Sequence, residues 1–127
     1  MPTKTKEPIA VLLMDSYLFW SVTLDLTNEM DKAETLLNGI GRYNKFDPKK
    51  IISILKEAVA KNSPAEGTVP EMLRVTIGRE YSPVIYIDCH KSLWDMLWDR
   101  FKAAKADEID EEKTKMPERI KVRAFWD

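Results

Sequence analysis

Asp88, Cys89 and His90 stand side by side, and they include the only cysteine and the only histidine of the 127-residue chain. A thiol beside an imidazole is the raw material of a nucleophile and base pair, and a place just ahead of a helix lowers a thiol pKa. On an extended segment, however, consecutive side chains point to opposite faces. The spacing therefore favours Cys89 as a small buried apolar residue, Asp88 as a cap and His90 as a surface group. One cysteine and one histidine also fall short of the usual zinc frameworks, so no metal site and no cofactor is expected.

Asp15 is the other carboxylate at the end of an apolar run. If the runs ending at Asp15 and Asp88 are neighbouring antiparallel strands, the two carboxylates lie about a strand length apart, some ~17–20 Å, and cannot share a cation. Asp15 then reads as a helix cap. Gly39-Ile40-Gly41-Arg42, followed by Lys45, Lys49 and Lys50, offers backbone amides and cations for a phosphate. It follows a helical pattern rather than a strand, unlike the P-loop or the dinucleotide fingerprint, and reads more simply as a helix stop and a solvated turn.

Two surfaces carry more information than any motif. Arg74 and Thr76 on one strand, and Arg119, Lys121, Arg123 and Phe125 on another, alternate with apolar residues and should share the sheet face away from the helices. Ala10, Leu12, Met14 and Tyr86 would supply the apolar centre of that face, rimmed by cations. Such a face suits a protein partner, with the centre as anchor and the charges as rim. It also suits a single-stranded nucleic acid, with Tyr86 and Phe125 as stacking platforms. Edge protection is the plain explanation of the cations. Trp20 and Leu24, with Met96, form the second surface if they project off the stripe of a helix. The long connection from Ala106 to Pro117 could instead cover that Trp.

The elements that position these residues follow from periodicity. Ile9 to Met14 is a short continuous apolar run after Pro8, as in a strand buried on both faces. From Leu18 to Leu26 the apolar residues alternate as in a strand. Helical spacing places Leu18, Phe19, Val22, Leu26, Met30, Ala33, Leu36 and Leu37 on one arc, so one long helix is expected from an Asp15 or Ser16 cap to Asn38, stopped by Gly39. Asp47-Pro48 opens a second helix with Ile51, Ile52, Leu55, Ala58 and Val59 inside, ending near Asn62. After a loop over 63–70, Leu73, Val75 and Ile77 mark a half-buried strand. Val84 to Ile87 marks its hairpin partner. Ser92 and Asp95 read as a capping box for a helix burying Leu93, Trp94, Leu97, Trp98, Phe101 and Ala104. A charged linker over 106–117 then leads to a last strand with Ile120, Val122, Ala124 and Trp126 inside.

The expected order, β-α-α-β-β-α-β, is a ferredoxin-like (split βαβ) α+β sandwich with an extra helix before the second strand. Its apolar first and third strands would be central, and its cationic second and fourth strands would be edges. Residues 1–7 would be a flexible tail and residues 8–127 a single domain. Twenty basic against twenty-one acidic residues, net charge −1, provide no global attraction to nucleic acid or anionic membrane. No apolar stretch is long enough for a spanning helix. The lone cysteine fits a reducing compartment, so a cytoplasmic location is expected. The function expected is that of a non-enzymatic protein-binding or regulatory module, a homodimer or a subunit of a complex. A nucleic-acid-binding module is the alternative, and a small enzyme with dispersed residues comes third.

Overall fold

Asp25 marks the point where the chain changes period. Before it, Trp20 and Leu24 are buried while Ser21 and Thr23 are exposed, the alternation of a strand. After it, Leu26, Ala33, Leu36 and Leu37 are buried at helical spacing. The side chain of Asp25 accepts from the Thr27 N–H at 3.1 Å, and Glu29 reaches back to accept from the Asp25 N–H at 3.0 Å. This reciprocal cap starts the helix at Leu26. The computed structural model describes residues 19–62, 72–80 and 82–127.

The elements are β1 (Phe19–Asp25), α1 (Leu26–Ile40), α2 (Pro48–Lys61), β2 (Arg74–Glu80), β3 (Ser82–His90), a 3-10 turn (Lys91–Leu93), α3 (Trp94–Ala103), β4 (Glu108–Lys113) and β5 (Arg119–Phe125). The strands form one open sheet in the order β1-β2-β3-β5-β4, each antiparallel to its neighbours. The protein is thus α+β, with a five-stranded antiparallel sheet and, among the described residues, three α-helices.

One row of the register shows how the core is built. Val22, Ile77, Ile85 and Ala124 lie across four strands, and Leu24, Val75, Ile87 and Val122 make the next row. Leu36, Leu37, Ile51, Leu55, Leu97 and Phe101 from the helices join them in a single buried cluster. At roughly 25 cal/mol per Å², this apolar burial is the main favourable contribution to folding. The helix layer runs α1, α2, α3. α1 touches β1 and β2, and α3 touches β4 and β5.

Several expectations need correction. The long helix from residue 15 or 16 begins only at Leu26, because Phe19–Asp25 pairs along its whole length with β2 and that pairing outweighs local helical spacing. Gly39 lies inside α1. The helix instead ends on Gly41, with a positive φ of 74°, whose N–H donates to Leu37 O at 3.2 Å. The Ser92–Asp95 box does not form. Instead the His90 Nδ1 accepts from the Ser92 N–H at 3.1 Å and bonds the Ser92 hydroxyl at 2.9 Å, capping the 3-10 turn. The charged linker contains a strand, β4.

These differences change the sheet order. In a split βαβ sandwich the strand at Arg74 and the strand at Arg119 would be edges. Here β1 lies outside β2, and β4 lies outside β5, so both cationic strands are internal. Among the described residues, the segments expected as helix and linker supply the edges. The second helix, the hairpin and the last strand lie where expected, with Asp47 accepting from the Lys49 N–H ahead of Pro48. The expected tail 1–7, the strand Ile9 to Met14, the Asp15 cap and the loop over 63–70 fall outside the described residues.

Candidate functional site

β5 lies between β3 and β4, and because Ile120, Val122 and Ala124 are buried toward the helices, the alternating Arg119, Lys121, Arg123 and Phe125 sit in the sheet's other face. Arg119 Nη2 donates to Asp88 Oδ1 at 3.0 Å, tying β5 to β3. Arg123 Nη1 donates to Glu108 Oε1 at 3.0 Å and to Asp110 Oδ2 at 3.1 Å, tying β5 to β4. Burial works against the Arg123 charge. Hydrogen bonds to Glu108 and Tyr86 outweigh it and hold the guanidinium above its ordinary pKa.

The same face carries Tyr86 and Phe125, both half-buried. The Lys121 ammonium stands 5.9 Å from the Tyr86 ring centre, and the Arg123 guanidinium 5.1 Å from the Phe125 ring centre, both within cation–π reach. Farther along, the Thr23 and Thr76 hydroxyls bond each other at 2.8 Å. Arg74 is exposed and pairs in register with Asp88. The face therefore combines a cation stripe on β5 (Arg119, Lys121, Arg123) with an acid stripe on β4 (Glu108, Asp110, Glu112), and two rings close to the cations. Of the residues expected at the apolar centre, Tyr86 lies on this face, and the expected rim cations lie inside the sheet with carboxylates beside them. Ala10, Leu12 and Met14 fall outside the described residues.

Trp20 and Leu24 do not form a partner surface. They are 8% and 6% exposed, because residues 20 and 24 of a strand, not a helix, both face the helix layer. Met96 is half-buried. Among the described residues the exposed aromatic is Trp98, at 37%, expected inside. Its ring lies 5.8 Å from that of half-buried Trp94 and 5.4 Å from the Lys102 ammonium. The sequence held a signal for this, since Trp94, Trp98 and Lys102 form a row one turn apart beside the Leu93, Leu97 and Phe101 stripe.

The remaining candidates lose their chemistry in three dimensions. Cys89 is fully buried under the helices, and desolvation pushes its thiol up to about 12. Its neighbour His90 is on the opposite face, held by Ser92. At the α1–α2 junction the place a phosphate would take is held by the Asp47 carboxylate, which accepts from the Lys49 N–H at 3.1 Å and from Arg42 Nη1 at 3.3 Å. Lys45 faces Asp107 at 4.0 Å. Among the described residues no group of three or more His, Cys, Asp or Glu is placed to hold a metal ion. Among them, too, no helix is long and apolar enough to cross a membrane. Comparison of the chain with family models, with curated proteins and with solved structures finds no match in any of the three.

Proposed function

We propose that the chain is a non-enzymatic protein-binding module that self-associates through the sheet face opposite its helices, forming a homodimer or the core of a larger complex. The observation that carries this reading is the pairing of opposite charge stripes on one face, with Lys121 opposite Glu112 and Arg123 opposite Asp110 in register. A two-fold rotation lays the cation stripe of one copy over the acid stripe of another, so the face is self-complementary as an isologous interface requires. Tyr86 and Phe125 serve as the aromatic anchors that such interfaces favour.

A nucleic acid finds less to hold. The carboxylates of Glu108, Asp110 and Glu112 stand beside the cations and repel phosphates, whereas a second copy of this face brings cations to meet them. A cytoplasmic setting accords with a sequence whose one cysteine has no second cysteine to join.

Sedimentation over a range of concentrations tests the proposal. The wild-type chain should show a mass that rises with concentration. Lys121→Glu and Glu112→Lys should each weaken association, and the double swap should restore it. A monomeric mass at the highest soluble concentration would refute self-association. Labelled oligonucleotide binding that falls steeply with salt would favour the nucleic-acid alternative.

A further inference from the structure

At the end of the sheet opposite β1, α3 packs on β5 and β4, and β4 is the outermost strand among the described residues. Arg100 on α3 forms a two-pronged ion pair with Glu57 of α2 at 2.8 and 3.0 Å, which fixes the side of α3 that faces α2. Trp98 is two residues from Arg100, about 200° around the helix, so the Trp94–Trp98 row lies on the side away from α2. That is the side of the β4 edge. β4 ends the sheet order, and no described strand pairs with its outer edge. Glu108, Asp110, Glu111 and Glu112 are all exposed along it.

From this juxtaposition we infer that the β4 edge and the Trp94–Trp98 row form a docking surface for a basic, extended peptide segment, which adds to the sheet as a sixth strand. An edge strand offers backbone donors and acceptors that such a segment can pair with. Alternating cations on the segment meet Glu108, Asp110 and Glu112 on the face away from the helices, and the apolar residues between them point toward the helix side, where Trp98 lies. A second copy of β4 is unsuited to the place, because carboxylates would meet carboxylates. Trp98 is the anchor, and the Lys102 ammonium 5.4 Å from its ring shows that this ring accommodates a cation. The surface shares Glu108, Asp110 and Glu112 with the sheet face proposed for self-association, but strand pairing along 108–113 and the Trp98 anchor belong to it alone, so amide exchange in β4 and the Trp98→Ala variant tell the two proposals apart.

The probe is a capped peptide of alternating lysine and valine, with its glutamate–valine counterpart as control, titrated into the full chain and followed by backbone amide NMR and hydrogen exchange. Shifts confined to β4 and the Trp94–Trp98 row, with slowed exchange at amides of 108–113, are expected for the lysine peptide alone. Trp98→Ala should weaken binding about tenfold, with unchanged circular dichroism confirming its fold. Glu112→Lys should weaken it more at low salt than at high salt. Absence of binding, shifts spread elsewhere over the surface, unslowed exchange in β4, or full binding by Trp98→Ala would each overturn the inference.

Discussion

The indole N–H of Trp126 donates to the Ala104 carbonyl at 3.0 Å inside the core, joining the residue after β5 to the end of α3. The same ring stands edge-on to Phe46 at 5.2 Å and to Phe101 at 5.8 Å. One side chain thus fastens the last strand, the α1–α2 connection and the third helix.

Trp126→Ala should therefore destabilise the fold by about 3–5 kcal/mol. Trp126→Phe keeps most of the packing and removes the donor to the Ala104 carbonyl, at a cost of about 1–3 kcal/mol. Denaturant titration of both variants checks the ordering.

Gly78 lies opposite Ser21 in the β1–β2 pair. A Cβ added there would meet the Trp20 carbonyl oxygen at 2.7 Å and the Ser21 Cβ at 3.2 Å. Backbone cannot yield as a flexible side chain can, so Gly78→Ala should cost about 1–3 kcal/mol. Hydrogen exchange should show the loss first in β1.

The Cys89 thiol should react with a disulfide reagent at pH 8 only as fast as the fold opens. Its pKa is raised in the folded chain, so the thiol stays protonated there while an unfolded chain ionises near 9. The contribution of this group to stability is complete below pH 9 and declines as pH rises from 9 toward 12. Equal labelling rates in native and unfolded protein would contradict the buried position.

Arg123→Ala removes the guanidinium that Glu108 and Asp110 share, and leaves carboxylates facing one another on β4. The expected loss is about 1 kcal/mol, concentrated in β4 as faster amide exchange with β2 and β3 unchanged.

Where the fold was legible in the sequence, local chemistry and long-range packing agreed. Asp47-Pro48 caps α2 as such a dipeptide should, and Val75 and Ile77 alternate because one face of β2 meets the helices. The segment Phe19–Asp25 was ambiguous because alternation and helical spacing both fit it. Its pairing partner, some fifty residues away, decides between them. The Asp25–Glu29 cap and the aromatic and β-branched residues Trp20, Val22 and Thr23 were the local signals of that outcome. β4 was the hardest to see, since Glu108, Asp110, Glu111 and Glu112 are poor strand formers, and only their cation-bearing neighbour β5 makes a strand of them. The face itself was partly visible. Alternation placed Arg119, Lys121, Arg123 and Phe125 together, but the carboxylates beside them became evident only with the strand order.

That order also has a kinetic consequence. β2 with β3, and β4 with β5, are hairpins that can close locally, whereas β3 can meet β5 only after the chain through α3 and β4 has folded back. The sheet is therefore two quickly formed hairpins joined along a slower seam, where Ile85 meets Ala124 and Ile87 meets Val122, and completed by β1, which reaches β2 only across the longer loop through α1 and α2. Contacts that must wait for a long loop to close govern the folding rate. Truncations along this seam or in the β1–β2 pairing should slow folding, while those in the outer hairpin strand β4 mainly hasten unfolding.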